Sequence, residues 1–341
     1  MTHPDKPYLS ISEQINHLQQ RGLLIDNEMN ATKHLLTIGY YPLINGYGKP
    51  YTNANNKFIQ GVTFEQILSQ YQIDQRLKQF LFQEIINCEN RLKTLLGYFI
   101  SNEFGVWDED VTDLNRLSYL HQSHYANNNQ KNNVLKKLIK TKREISNNPT
   151  KYYRDSKNHI PPWILFSNCS MWEINNLFRI LQPQHKNKVA NEIFNPAIFN
   201  NDDFKLKLIN DSYELLREFR NCVAHGSRLY SYKSKAALPL KAVETLFGPG
   251  LTSATEHNKG LARNDLFALI LTIIIFSPEM DASIRLITGI ESIKVSFNDE
   301  KSLLNPSPFS KFLEFSNLPT NFVERLTIGI QYCINNHQLY N

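Results

Sequence analysis

Apolar residues recur at three- and four-residue spacing through most of the chain, the pattern of helices that bury one face. Ser10-Ile11-Ser12-Glu13 reads as a capping box opening a helix with Ile11, Ile15 and Leu18 on one side and a stop at Gly22. A second helix is expected over 28–38, then an aromatic-rich turn from Ile38 to Tyr47 packed on the body. Thr63 is positioned to cap a helix carrying Phe64, Ile67, Leu68 and Tyr71. Leu77, Leu81, Ile85, Cys88, Leu92, Leu95 and Phe99 mark the longest periodic segment, from 74 to about 102. Further helices are expected over 134–144, 171–181, 185–194, 202–224, 263–276 and 280–295, with two short ones after Ser307 separated by Leu318-Pro319. Residues 236–260, with Pro239, Gly248-Pro249-Gly250 and Gly260, read as a loop or hairpin. No internal repeat of 20–50 residues is found. The expected class is all-α.

Composition narrows this only a little. At 341 residues the chain has room for two lobes or one large helical unit. Thirteen glycines and fifteen prolines are too few for a collagen-like chain and leave few turn residues for a β-sandwich. The apolar run Leu266 to Phe276 falls well short of the ~20 residues that span a bilayer, so it reads as a buried core helix. Met1-Thr2-His3-Pro4-Asp5-Lys6 has no apolar core, and no signal peptide is expected. Cys88, Cys169, Cys222 and Cys333 stand singly, a pattern that suits a reducing cytoplasm rather than a disulfide scaffold or a thiolate zinc site. The histidines include no H-E-x-x-H, so no metal or other cofactor is expected, and no membrane partner.

Charge distribution is more informative than its sum. Between His121 and Ile160, nine basic residues (Lys131, Lys136, Lys137, Lys140, Lys142, Arg143, Lys151, Arg154 and Lys157) face only Glu144 and Asp155. This segment therefore exceeds the whole chain's +5. It is interleaved with Tyr125, Tyr152 and Tyr153 and followed by Trp163. Such a mixture attracts a phosphate backbone and offers stacking faces to unpaired bases. A solvated, partly mobile linker has the same composition.

The chemically densest stretch runs from Glu214 through Arg220-Asn221-Cys222-Val223-Ala224-His225-Gly226 to Tyr230, at the end of an expected helix with Gly226 as its C′ residue. At about 100° per residue, Arg220 and His225 lie about 140° apart around a regular helix. They meet only if the helix unwinds at Gly226 or if two copies of the segment meet across a two-fold axis, and the homodimer is the more economical solution. Asn221 and His225 share a face, with Arg217 one turn back. The structural alternative for Arg220 is a surface pair with Glu218 or Glu214.

Arg220-Asn221-Cys222-Val223-Ala224-His225-Gly226-Ser227-Arg228-Leu229-Tyr230 resembles the R-N-x-x-A-H-x-x-R-L-aromatic signature of the abortive-infection (Abi) D/F-type proteins, members of the HEPN superfamily of helical RNases and RNA-binding proteins. Lys6-Pro7-Tyr8-Leu9-Ser10-Ile11 resembles the family's opening, Ile38-Gly39-Tyr40-Tyr41-Pro42-Leu43 its glycine-tyrosine turn, and Phe64 to Leu77 its next helix pair. Pro162-Trp163 is similar to its P-W element. The likeness covers most of residues 6–235. Ser231 departs from the family's usual Asn, and Gly226 from its usual His or polar residue.

The resemblance implies a HEPN-like helical bundle (63–341) preceded by an N-terminal helical extension (1–62) and carrying a basic helical insertion at about 121–160. It implies cleavage of RNA without a metal, with the substrate's own 2′-hydroxyl as nucleophile. In that chemistry His225 is the acid/base, Arg220 clamps the developing phosphorane, and Asn221 holds the histidine or the scissile phosphate. Arg228, with Lys131, Lys136, Lys137, Lys140, Lys142 and Arg143, would contact the RNA backbone. Glu89 resembles the acidic position on the facing helix, which would orient Arg220 or His225, but an exposed i,i+4 pair with Lys93 is the favoured account of it. The implied function is an endoribonuclease toxin of anti-phage abortive infection, acting as a homodimer. The alternatives are a non-catalytic scaffold that holds a structured non-coding RNA, and a module that only mediates protein assembly.

Overall fold

A computed structural model describes residues 8–277, 280–297 and 307–337. Lys6 and Pro7 of the family-like opening, and the Met1–Lys6 stretch read for a leader, lie outside them. The helices run α1 (Ile11–Gln20), α2 (Glu28–Thr37), α3 (Phe64–Phe104), α4 (Lys131–Glu144), α5 (Thr150–Ser156), α6 (Pro162–Ser167), α7 (Met171–Ile180), α8 (Pro183–Ile193), α9 (Asp202–Ala224), α10 (Leu240–Phe247), α11 (Ala254–Asn258), α12 (Leu266–Phe276), α13 (Met280–Phe297), α14 (Pro308–Ser316) and α15 (Phe322–His337). Among the described residues no β-strand forms, only isolated bridges. The protein is an all-α helical bundle, as the periodicity predicts.

The chain divides into two compact units. The first comprises Met1–Phe80, Arg228–Ser231 and Thr288–Phe322. Here α1 begins at the expected capping box, with Ser10 and Glu13 each accepting from the other's backbone, and packs on α2. The glycine-tyrosine turn is a single wide helical turn over Tyr41–Asn45. It follows Gly39 at φ +93°, a conformation that favours glycine. Leu43, Ile44 and Tyr47 are buried and Tyr41 is exposed.

The second unit comprises Leu81–Ser227, Tyr232–Ile287 and Val323–Asn341. Its centre is α12, every residue of which is buried. A helix with no polar face has to be surrounded, and Asp265 caps it by accepting the Ala268 N–H at 3.0 Å. α7, α8 and α12 all pack on α9.

Three expectations need correction. The two helices read over residues 63–102 are one continuous helix, because neither Gly nor Pro interrupts Gln72-Ile73-Asp74 and because Asp74 caps nothing locally; its carboxylate is engaged elsewhere, as described below. Residues 236–260 hold α10 and α11 rather than a loop or hairpin. Gly248 and Gly250 lie between these two helices and Gly260 follows the second, while Ala242, Val243, Leu246 and Phe247 form the buried stripe of the first and a Ser253–Glu256 capping box starts the second. The last of the two C-terminal helices, sixteen residues long, is not short.

The basic segment is folded rather than a linker. α4 buries Val134, Leu135 and Leu138 and packs on α7. The Thr141 hydroxyl donates to Glu173 at 2.5 Å, and the Arg154 guanidinium donates to the carbonyls of Lys142, Arg143 and Ile145, closing the helix's C-terminal end.

Candidate functional site

α9 carries the dense motif. Asn201 caps it by accepting the Phe204 N–H at 2.8 Å, with Asp202 and Asp203 in the first turn. Leu208, Tyr213, Leu215, Leu216, Phe219 and Cys222 are buried, which fixes the helix's rotation. The helix runs regularly to Ala224 and ends where the sequence placed the stop. Gly226 adopts φ +69°, its N–H donates to the Val223 carbonyl, and the Ser227 N–H donates to the Cys222 carbonyl. This is a Schellman ending. His225 is the C-cap residue, exposed, its imidazole bonded to nothing within the chain.

The charged side chains of α9 are not equivalent. Arg217 grips Glu214 through two hydrogen bonds, Nε to Oε2 at 3.1 Å and Nη2 to Oε1 at 2.5 Å. Asn175 of α7 also donates to Glu214, at 3.2 Å, and Arg179 lies 3.9 Å from it. Burial pushes the Glu214 carboxyl up, but the Arg217 hydrogen bonds and charge outweigh that and hold it below the usual carboxylate range. Glu218 accepts from the Ser234 hydroxyl at 3.0 Å and the Lys235 N–H at 2.8 Å.

Both carboxylates that could have neutralised Arg220 are therefore occupied by other groups. Arg220 is half-buried and forms no ion pair; its Nε is buried without a partner, and its Nη1 lies 3.5 Å from the Asn221 side-chain oxygen, at the limit of a hydrogen bond. The surface pair with Glu214 or Glu218 does not form. Within one chain Arg220 and His225 do not touch, as an unbroken helix requires.

In the first unit, the segment that follows the motif is held by Asp74. Its carboxylate accepts the Leu229 N–H at 3.0 Å, the Tyr230 N–H at 3.1 Å and the Tyr47 hydroxyl at 2.6 Å, and pairs with Lys78 at 2.8 Å. Asp74, Leu229 and Tyr230 are buried. Burial pushes the Tyr230 phenol up to about 12, opposed by the Arg228 guanidinium, so Arg228 is engaged beside that ring.

The profile of the family described as "Abi-like protein" matches residues 33–231, which include this motif and the segment Asp74 holds. The chain belongs to the Abi-like protein family. Comparison with curated proteins and with solved structures finds no match. Membership in the Abi-like family fits a role in abortive infection.

The remaining expected site residues of this Abi-like chain are spread apart. Glu89 is buried and pairs with Lys93 at 2.8 Å. Its neighbour Cys88 accepts the Tyr213 hydroxyl at 3.4 Å, so Glu89 lies at the level of Tyr213, about 10 Å of helix rise from Arg220. Lys93 takes one carboxylate oxygen of Glu89, and the other is buried without a hydrogen-bond partner. Lys142 is buried too, held by Asp108 at 3.1 Å and Glu109 at 3.1 Å. It is a structural cation, unlike its neighbours. Lys136, Lys137, Lys140 and Arg143 are exposed and Lys131 is half-exposed. The Lys137 ammonium stands 3.6 Å from the Trp172 ring centre, and Lys140 lies 3.6 Å from Glu144 with both side chains about two-thirds in solvent.

Neither the role of Asp74 nor the Glu214–Arg217 pair is among the sequence expectations. The second had a signal: Glu214 and Arg217 are three apart, whereas Glu214 and Glu218 stand six and two residues from Arg220 and share no face with it. Among the described residues, no group of three or more His, Cys, Asp or Glu side chains is placed to hold a metal, and no helix is long and apolar enough to cross a membrane.

Proposed function

We propose that this Abi-like protein is a HEPN endoribonuclease of the abortive-infection D/F type, a toxin that cuts RNA without a metal at a site shared by two chains. The observation that carries the reading is the state of Arg220: a half-buried guanidinium with its Nε unpaired, beside Asn221 and five residues from an exposed, unpartnered His225, on a helix whose other arginine is neutralised. A buried donor left unsatisfied is costly, and a scissile phosphate at the accessible part of the guanidinium supplies the anion that the chain does not.

In this reading two copies pair their α9 ends about a two-fold axis, so that Arg220 of one chain and His225 of the other face one phosphate. Imidazole takes the proton of the 2′-hydroxyl, whose oxygen attacks phosphorus; the bond to the 5′-oxygen breaks and that oxygen is protonated. The products are a 2′,3′-cyclic phosphate and a free 5′-hydroxyl. Arg220 stabilises the charge that builds on the phosphorane oxygens, and Asn221 hydrogen-bonds the phosphate or the imidazole. Arg228 and the exposed cations of α4 hold the RNA backbone.

A second reading, an RNA-holding scaffold that cuts nothing, is favoured by the separation of Arg220 and His225 within one chain. The two are distinguished by substitution. Arg220→Ala and His225→Ala should each abolish RNA cleavage and growth arrest while RNA affinity stays within about twofold, since α4 is untouched. Parent cleavage should survive EDTA. Mixing the two variants should restore partial activity, because half of the heterodimer's sites regain both residues. Full activity in His225→Ala, or loss of parent activity in EDTA, removes the nuclease and leaves the scaffold.

A further inference from the structure

A cleft of about 570 Å³ opens in the second unit between the 107–113 loop and the α4–α5 segment. Its size suits one small organic ligand. The wall chemistry is mixed in a specific way. Trp107 and His159 stand with ring centres 4.9 Å apart and planes tilted by 48°, and Tyr153 also lines the cleft. Both Trp107 and His159 are partly exposed, and the Trp107 indole N–H has no partner within the chain. These are flat faces open to a planar guest.

The charged groups sort into those already used and those free. Asp108 accepts the Ile160 N–H at 3.0 Å and pairs with Lys142, which also holds Glu109. Asp110 accepts the Ser118 N–H at 2.8 Å. Arg154 is committed to the end of α4. Arg143, by contrast, makes no ion pair, and Lys157 has only the Tyr152 ring, 5.6 Å away. Asp113 is exposed on the loop side with no partner. The cleft therefore offers aromatic faces, two uncommitted cations and one uncommitted carboxylate.

We propose that this cleft binds one nucleotide. The base stacks on the open face of Trp107 with His159 bounding its edge, the phosphate lies on Arg143 and Lys157, and the Asp113 carboxylate accepts from the amino group of the base. Adenine, guanine and cytosine carry such an amino group and uracil does not, so uridine nucleotides bind weakest. The nucleotide is either a free mononucleotide or an unpaired nucleotide of a bound RNA; only the second source rests on the RNA-binding reading above, and neither depends on Arg220 or His225.

Isothermal titration of the full chain with AMP, CMP, GMP, UMP and ribose 5-phosphate tests the first source. Fluorescence anisotropy with a single-stranded RNA, intact and with scattered abasic positions, tests the second. A free-nucleotide site gives AMP binding at least about tenfold tighter than ribose 5-phosphate, in line with one stacked base, with UMP the weakest nucleotide. Trp107→Phe should retain most of this binding, while Trp107→Ala and Arg143→Ala should each weaken it about tenfold, and Lys33→Ala, an exposed change outside the cleft, should not. Circular dichroism of each variant separates misfolding from lost contacts, and the exposed Arg143 gives a variant that keeps its fold. An RNA-only site gives weak mononucleotide binding but about tenfold weaker RNA affinity in Arg143→Ala and Trp107→Ala, with the Trp107 effect vanishing on abasic RNA. Mononucleotides no tighter than ribose 5-phosphate, together with RNA affinity indifferent to both variants or no RNA binding at all, overturn the proposal. Cleavage lost in His225→Ala with nucleotide binding intact would separate this site from the nuclease reading.

Discussion

Glu214 and Arg217 form a two-point ion pair on α9, and three residues further on Arg220 has no carboxylate partner among the described residues. The positions that share a face with Arg220 are Leu216, Arg217, Val223 and Ala224, none of them acidic. The helix thus neutralises one arginine and leaves its neighbour available for an outside anion.

Supplying the missing carboxylate should silence the site without unfolding the protein. Ala224 is exposed and four residues after Arg220, so Ala224→Glu places a partner within reach of the guanidinium. Stability should move by less than about 1 kcal/mol, since an i,i+4 pair and an acidic residue at a helix C-terminus act in opposite directions. RNA cleavage should fall at least about tenfold, and Ala224→Gln, which brings no charge, should stay close to the parent. Equal loss in both variants would assign the effect to bulk rather than to neutralisation of Arg220.

Asp74 presents a different kind of dependence. Removing its carboxylate leaves the buried Leu229 and Tyr230 N–H groups without an acceptor and the buried Lys78 ammonium without its counter-charge. Asp74→Ala should cost about 3–5 kcal/mol in urea unfolding, the range for one lost partner of a buried pair. Asp74→Ala with Lys78→Met should cost less than the sum of the two single changes, because the second removes the stranded charge. Strict additivity would show that Asp74 serves the two amides and not the lysine.

These relationships mark where the sequence was legible. The bounds of α9 and the role of Gly226 followed from periodicity and from the one residue that tolerates φ +69° at that point. α3 looks like two helices in sequence because a helix-starting residue type, Asp74, sits inside it, and nothing local reveals that its amide partners are 155 and 156 positions away. α10 and α11 were hidden by the glycines between them. The basic segment was visible as charge but not as roles, although Leu135, Leu138 and Lys142 follow a three–four spacing that already puts Lys142 on the buried face. Arg220 and His225 were found through the motif, yet their separation about the helix axis is what makes a second chain part of the proposed site.

Two imidazoles, His257 buried and His124 half-buried, give the fold a measurable pH dependence. His257 donates from Nε2 to the Leu238 carbonyl at 3.0 Å, in the tautomer that contact implies, and burial holds its pKa below the usual histidine value. His124 stacks on Phe104 at 4.3 Å and is lowered by burial and by the neighbouring His121. A lowered folded pKa means that the unfolded chain binds the extra proton first. The stability these groups contribute is therefore complete above about pH 6.5 and lost as pH falls from there through their folded values. The Tm should be level above that point and decline below it, and His124→Gln with His257→Gln should flatten the decline. A Tm that rises on acidification through this range would reverse the sign and refute the assignment.

The cations of α4 should separate into two classes by two different measurements. Lys142 is buried between Asp108 and Glu109, while Lys136 and Arg143 project into solvent. Lys142→Met strands the Asp108 carboxylate, only a tenth exposed, and should cost about 2–4 kcal/mol, less than a fully buried pair because Glu109 is exposed. In a folded Lys142→Met protein the RNA affinity and its salt dependence should match the parent, since that ammonium is buried between two carboxylates. Lys136→Glu and Arg143→Glu should do the reverse: unfolding within about 0.5 kcal/mol of the parent, but weaker RNA binding and a salt slope reduced by about 0.7–0.9 for each phosphate contact removed. Lys137 should fall between, because its ammonium already rests on Trp172 and must leave the ring to meet a phosphate. A parental salt slope in the Lys136→Glu, Arg143→Glu double variant would mean that α4 does not carry the RNA. An altered slope in Lys142→Met would mean that the buried pair opens when RNA binds.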